Sequence, residues 1–389
     1  MTGATDGASG TARHVLLVDS SGYEDLGGAS TVINELIERV DRSRFAPALA
    51  CLSPGRWPEL VRQKGTPAYS LPRSRLRSPA NLVHLVGGLR RIIRGETASL
   101  VHASENSALL YVALAGRLTG TPVIWHIHSP LQARTRSERA VAAVLRRTTP
   151  AHIVFTSPGA RDRTMAFPGV PTSVVLPGID MARYAGMDAT RARSVLSIPD
   201  DAVVVSMFAR IEPMKGQVDF VHCLGRLAAR YPTLHGVMCG PADKSSPYWR
   251  TIERLVDEYR LGDRLIVPGD IRPPLKDDVV AASAVVVHPS HAESFGLAVL
   301  EAMGAGRAVL VAATDGPRLM IDDGVDGVLV APGDVDALTD ALAALLDDPG
   351  RRGRLGEAAR RRATGFSVDD MVRRFEALWD EVLAGAARR

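Results

Sequence analysis

Cysteine is nearly absent from this chain. Cys51, Cys223 and Cys239 lie far apart in apolar stretches, and no Cys-x-x-Cys spacing occurs. That excludes zinc ribbons, iron–sulfur clusters and a disulfide framework, and predicts buried free thiols in a reducing compartment. Lysine is almost as rare: Lys64, Lys215, Lys244 and Lys276 are the four among 47 basic residues. With abundant Ala and Gly, this arginine bias points to a GC-rich bacterial genome. Long apolar runs are missing too. Ala108–Gly116 and Val279–Val287 fall well short of the roughly 20 residues that span a bilayer. The opening segment MTGATDGASGTAR has no apolar core of the signal-peptide kind, and residues 1–12 are expected to be disordered. A soluble cytoplasmic chain follows as the expectation, peripheral at most at the inner face of the membrane.

What is present is length and alternation. A chain of 389 residues, 46% hydrophobic, exceeds one ordinary core and suggests two domains. Strand-like and helix-like segments alternate throughout. The short run His14–Val18 leads through a Gly-containing loop to Ala29–Val40, where Val32, Ile33, Leu36, Ile37 and Val40 share one helical face. Ala48–Leu52, Leu100–His102, Val123–Ile127 and Ile153–Phe155 are continuous rather than alternating apolar runs, as in a parallel sheet covered on both faces. Pro177-Gly178-Ile179-Asp180 marks a junction. Strands then recur at Val203–Phe208, Val237–Cys239, Leu265–Val267, Val285–His288, Val309–Val311 and Val328–Val330. The predicted fold class is α/β, with two Rossmann-like domains facing each other across a central cleft. The first spans 1–181 and the second 182–389, with a terminal helix over 367–389 that can pack back onto the first.

In such sheets ligands sit at the carboxyl ends of strands, so the loops there are the place to look. Residues 288–304 read His-Pro-Ser-His-Ala-Glu-Ser-Phe-Gly-Leu-Ala-Val-Leu-Glu-Ala-Met-Gly. Ser294 can cap a helix over Phe295–Met303, and Gly296 leaves its first-turn amides open to an anion such as a diphosphate. Glu301, two turns in, can accept from vicinal hydroxyls, while Glu293 precedes the helix. The alternative is structural: Ser290-x-x-Glu293 matches a capping box and Glu301 is a solvated helix residue. Arg210 and Lys215 follow strand 203–208 beside a helix opening at Gly216, a combination suited to phosphate oxygens, or else two solvated loop cations. Gly27-Gly28 opens another helix, either near a diphosphate or as a flexible turn. His126 and His128 end strand 123–127 on one face. No nearby carboxylate or third histidine completes a metal site. Gly-x-Gly-x-x-Gly is absent after either first strand, which argues against an NAD(P)-dependent oxidoreductase.

The combination of Arg210…Lys215-Gly216 with Glu293-x7-Glu301 resembles the family 4 retaining glycosyltransferases of the GT-B fold, of the group 1 type. Gly27-Gly28, Pro122–His128, Pro177–Asp180, Glu301–Gly306, Asp323–Val330 and Pro332-Gly333-Asp334 extend the match along nearly the whole chain. The resemblance implies a nucleoside-diphosphate-sugar donor as co-substrate and no metal or other cofactor. It implies that Arg210 and Lys215 neutralise the donor diphosphate and that Gly296 and Leu297 lend it backbone amides. Glu301 would hold the ribose and Glu293 would contact the donor sugar. His128, with His126 as runner-up, would lie near the transferred sugar, and Gly28 would approach the phosphates. The family's Gly-Gly-x-Pro-Glu segment here is Asp315-Gly316-Pro317-Arg318-Leu319, with leucine in place of a carboxylate. That departure keeps open a catalytically silent nucleotide-sugar-binding scaffold.

Residues 1–181 carry 21 basic and 13 acidic side chains, net +8, and residues 182–389 carry 26 and 30, net −4. The excess basicity belongs to the half that the resemblance gives to the acceptor, and favours an anionic acceptor or surface. Arg73, Arg75, Arg77, Arg90, Arg91 and Arg94 flank or lie on an amphipathic helix with Leu82, Leu85, Val86 and Leu89. That helix either rests on an anionic membrane or faces the core with a solvated basic side. A cell-envelope lipid or glycan is the favoured acceptor, and a small soluble metabolite is the alternative. No aromatic–basic pattern supports nucleic-acid binding.

Overall fold

The computed structural model describes residues 12–22, 27–71 and 79–388. Expectations for residues 1–11 and for Arg73, Arg75 and Arg77 lie outside the described residues. The chain divides into two compact units, Met1–Leu176 with Asp369–Arg389, and Pro177–Val368.

The first unit is built on seven strands: β1 (Arg13–Asp19), β2 (Phe45–Cys51), β3 (Ala68–Ser70), β4 (Leu100–Ser104), β5 (Val123–Ile127), β6 (His152–Phe155) and β7 (Thr172–Val174). All pair in parallel in the order β3-β2-β1-β4-β5-β6-β7. Strand alternation gives the two faces different chemistry. Leu16, Val18, Val101, Ala103, Trp125, Ile127 and Phe155 join the buried apolar cluster that includes Leu85, Leu89 and Val112. The helices supplying those three run Pro79–Gly95 and Leu109–Thr119. On Pro79–Gly95 the leucine stripe is therefore spent on the core, and Arg90, Arg91 and Arg94 face outward. It is a core-facing helix with a solvated basic side, so this stripe is not the membrane-resting face that the amphipathic pattern also allowed.

The other face carries His102, Ser104 and His126, since Leu17 pairs His102 and Ser104 pairs His126. The helix Val368–Ala387 packs here: Phe375 stacks on His102 and His126, and Trp379 meets Phe45 and His102 edge-on. Glu376 accepts from Arg44 Nη1 at 2.8 Å and from the Asp41 amide at 2.7 Å.

The second unit holds six parallel strands: β8 (Val203–Phe208), β9 (Leu234–Cys239), β10 (Leu265–Gly269), β11 (Ser283–His288), β12 (Ala308–Ala312) and β13 (Val328–Val330). Their order is β10-β9-β8-β11-β12-β13, so chain direction across the sheet reverses between β8 and β11. That reversal opens a crevice at the carboxyl ends of these two strands. All three cysteines are free and buried. Among the described residues no helix is long and apolar enough to cross a membrane.

Candidate functional site

Two loops meet at the β8/β11 reversal. After β8 the chain makes a 3-10 turn over Pro213–Lys215, and Gly216 takes φ +75° before the helix Gln217–Leu227. A Cβ at Gly216 would overlap the Pro289 carbonyl, so glycine allows both the left-handed turn and the close approach of the β11 loop. The loops are tied together as well. The His291 amide donates to Met214 O at 2.9 Å, and His291 Nε2 lies 2.6 Å from Asp219 Oδ2.

This contact sets a charged pair. Lys215 Nζ donates to Glu293 Oε2 at 2.8 Å, and His288 Nε2 lies 3.1 Å from the same oxygen and 2.9 Å from Ser290 Oγ. Burial alone would raise the Glu293 pKa, but the His288 hydrogen bond and the Lys215 charge outweigh it and hold it at about 2. Glu293 is thus a firmly ionised carboxylate, and neither it nor Ser290 forms the capping box that their spacing allowed. The helix also begins later than expected, at Leu297 rather than Phe295. Its N-cap is Gly296 at φ +95° with no side-chain cap, and Ser294 does not serve. Leaving the first-turn amides without a side-chain acceptor keeps that helix end suited to an anion. Arg210 is 64% exposed, with a 3.4 Å contact to Glu212.

Glu301, on the second turn of Leu297–Gly304, is buried rather than solvated. Its side chain is 9% exposed, with Oε1 3.3 Å from Arg183 Nη1 and Oε2 2.5 Å from Lys276 Nζ. Burial opposes its ionisation, but Lys276 and Arg183 outweigh that and lower its pKa. Arg183 is itself clamped by Asp277 through bonds of 2.6 and 2.8 Å. Sequence reasoning missed Arg183 and Lys276. For Lys276 a signal existed: it is one of four lysines, the scarcity that drew attention to Lys215. The Leu319 departure lies on the short helix Asp315–Met320, whose Gly316 amide donates to Glu293 O at 3.0 Å.

In the first unit, His128 Nε2 lies 3.0 Å from Ser104 Oγ. His126 stacks 4.0 Å from His128 between ring centroids, fully buried, with neither nitrogen hydrogen-bonded. His102 Nδ1 accepts from Trp379 Nε1 at 3.2 Å. Burial pushes the His102 and His128 pKa values down to about 3 and that of His126 well below its ordinary value. All three rings are neutral at physiological pH. Gly28 opens the helix Gly28–Arg39, whose N-cap Gly27 offers no side-chain cap. Nearby at the end of β1, Asp19 accepts from the Ser21 amide at 2.7 Å and from Ser30 Oγ at 3.3 Å, and burial raises its pKa to about 7. Among the described residues no group of three or more His, Cys, Asp or Glu is arranged to hold a metal.

Comparison with known proteins follows the same division. The model for glycosyltransferase family 4 matches residues 26–183, and that for glycosyl transferases group 1 matches residues 188–362. A D-inositol 3-phosphate glycosyltransferase of Kribbella flavida is 37% identical over 200 residues, which is 50% of this chain and 47% of that protein. D-inositol 3-phosphate glycosyltransferase 1 of Catenulispora acidiphila is 27% identical over 337 residues, 78% of this chain and 79% of that protein. The chain spans about half the length of the first curated relatives it matches. Among solved structures, Anabaena Alr3699/HepE in complex with UDP and glucose superposes with a TM-score of 0.83 at 22% identity, covering 95% of this chain and all of that one. WaaG, a glycosyltransferase involved in lipopolysaccharide biosynthesis, gives 0.74 at 16% identity over 92% of this chain and 98% of that one. The two matched models, together with the architecture of both sheets, place the chain in the family 4, group 1 glycosyltransferases of the GT-B fold.

Proposed function

We propose that this protein transfers a sugar from a nucleoside-diphosphate sugar to an acceptor hydroxyl with retention of anomeric configuration and without a metal. The observation that carries this reading is the Lys215–Glu293 pair beside the uncapped helix start at Gly296. A cation, an ionised carboxylate and open amides then meet at a sheet reversal. Arg210 and Lys215 neutralise the departing diphosphate, Gly296 and Leu297 donate amides to it, and Glu301 holds the ribose. Glu293 orients donor-sugar hydroxyls. It is not assigned as a nucleophile, because glycosidase-type covalent chemistry needs a second carboxyl flanking the same bond, and Glu301, paired with Lys276 and Arg183, is assigned to the ribose. The sugar C1–O bond to phosphate breaks, the acceptor oxygen bonds to C1, and the acceptor proton passes to the departing phosphate oxygen. His128 is assigned to the transferred sugar and Gly28 to the phosphates.

For the acceptor, a small anionic polyol is better supported than the cell-envelope lipid or glycan first favoured. The relatives are named for a phosphorylated inositol, residues 1–181 are net basic, and the apolar stripe of Pro79–Gly95 is buried in the core. Cytoplasmic location belongs to the same proposal and rests on the buried free thiols. The test is incubation with UDP-, GDP- and ADP-sugars and inositol phosphate in EDTA, followed by mass spectrometry and by NMR of the new anomeric centre. Nucleotide release with a retained product is expected. Donor binding with no transfer to any acceptor pool would favour the silent scaffold, and an inverted product would refute the mechanism.

A further inference from the structure

A row of rings links the terminal helix Val368–Ala387 to His128. The Phe375 centroid lies 5.2 Å from that of His102 and 5.0 Å from that of His126, and His126 lies 5.3 Å from His102 and 4.0 Å from His128. Phe375, His102 and His126 are buried, whereas His128, one residue beyond β5, is only partly so. His128 is therefore the end of the row that a ligand can reach. Ser104 Oγ holds its Nε2, and its ring rests against His126. Neither nitrogen of His126 has a hydrogen bond, so packing alone fixes the rotation of that ring, and the packing comes from Phe375 and His102. His102 is pinned in turn by the Trp379 N–H on its Nδ1. The helix carrying both aromatics is fastened to the first unit by Glu376 on Arg44 and the Asp41 amide, and by Asp380 on Arg44 and Arg13.

We propose that Phe375 is a positioning residue for the transfer step, holding His126 against His128 so that the His128 imidazole keeps one orientation and one tautomer. This rests on the assignment of His128 to the transferred sugar; Phe375 acts only through it. A neutral imidazole carries one N–H and one lone pair. Rotation of the His128 ring would break its bond to Ser104 and exchange the nitrogen presented to a ligand. A supporting shell that is loose by about 1 Å can cost on the order of 100-fold in rate. Removing the Phe375 ring opens space beside His126, which then no longer holds His128 in place. Arg210, Lys215 and Glu301, assigned to the donor nucleotide, belong to the second unit. Loss of Phe375 therefore slows transfer and leaves nucleotide binding alone.

The experiment is NMR of the full chain carrying isotope-labelled histidine, alongside kinetics. The His128 ring signals are identified by their loss in His128→Gln. They should show one neutral tautomer in the unaltered protein and a mixture of the two in Phe375→Ala. The kcat for nucleotide release is read with the UDP-, GDP- or ADP-sugar that the unaltered protein turns over. It should fall about 10-fold or more in Phe375→Ala, while affinity for the matching nucleoside diphosphate stays within about twofold. Phe375→Leu, which keeps most of the buried volume, should show both effects in weaker form. In a His128→Gln background Phe375→Ala should lower kcat by no more than about twofold further, because the ring it positions is gone. An unchanged His128 tautomer in both Phe375 variants would overturn the proposal. So would an equal loss of kcat in the two backgrounds, or a loss of nucleotide affinity in step with kcat. Full activity in His128→Gln would instead overturn the assignment of His128, and the proposal with it.

Discussion

The neutral histidines of the first unit make its stability steeply dependent on pH on the acid side. His102 and His128 are held to about 3 and His126 well below its ordinary value, whereas all three titrate near 6.5 once unfolded. Below about pH 6.5 the unfolded chain therefore binds three protons that the folded unit refuses, and stability falls as pH falls. Each proton is worth about 1.4 kcal/mol per pH unit, so the three together approach about 4 kcal/mol per unit. Asp19 acts in the opposite sense. Its folded pKa of about 7 means the folded unit keeps a proton that the unfolded chain gives up above about 4, which adds stability as pH falls from 7 towards 4. The net slope between pH 6 and pH 4 is then about 3 kcal/mol per unit. Between pH 6.5 and pH 4 this removes about 6 kcal/mol, a large share of a total stability of about 5–15 kcal/mol, so the first unit should be strongly weakened by pH 4.

His126→Phe isolates the effect. The ring it removes is buried with no hydrogen bond on either nitrogen, so an apolar replacement sacrifices no partner. The acid slope should become shallower, by at most about 1.4 kcal/mol per pH unit for the one proton concerned, and the variant should lose less stability than the unaltered protein as pH falls below about 6.5. Urea unfolding between pH 4 and 8, followed by tryptophan fluorescence in a Trp249→Phe background, reads this unit alone. Trp57, Trp125 and Trp379 lie in the first unit and Trp249 in the second. Identical acid slopes for the two proteins would refute the reasoning.

Three further outcomes follow from the second unit. Lys215→Ala should lower kcat/KM by about 100-fold or more, measured as nucleotide release, if the cation assigned to the diphosphate acts there, and should also cost some stability because it leaves the Glu293 carboxylate with His288 alone. Gly216→Ala combines a positive φ with overlap onto the Pro289 carbonyl and should cost about 1–3 kcal/mol in the unit's urea unfolding. Asp278→Asn removes the charge from a fully buried carboxylate that accepts from the Asp188 amide at 2.8 Å and from Arg191 at 2.5 and 2.8 Å. A loss of about 2–3 kcal/mol by chemical denaturation is expected, at the lower end for broken buried pairs because Arg191 stays partly in water.

How much of this was legible in the sequence depends on the distance over which each feature is encoded. Val123–Ile127, Val203–Phe208 and Val328–Val330 have the strand limits their apolar runs predict, because a parallel strand covered on both faces is mostly apolar, with His126 and Ser206 as buried polar exceptions. Ala68–Ser70 and Thr172–Val174 escaped notice. Each is three residues long, sits on a sheet edge, and owes its pairing to a neighbour rather than to its own composition. The helix at Leu297 was misplaced by two residues for a related reason: Ser294 has capping chemistry, but the left-handed glycine at 296 moves the start beyond its reach. The site divides in the same way. Glu293, Glu301, Arg210 and Lys215 could be marked from residue type and loop position. The Lys215–Glu293 bond spans 78 residues, and only the sheet reversal that sets β8 beside β11 makes it. Arg183 and Lys276 reach Glu301 from 118 and 25 residues away, on elements with no local motif. A carboxylate in an apolar helix such as Leu297–Gly304 does carry one long-range inference, since burying it without a cation would cost several kcal/mol. With 47 basic residues in the chain, that inference could require a cation without naming Lys276 or Arg183 as the ones that supply it.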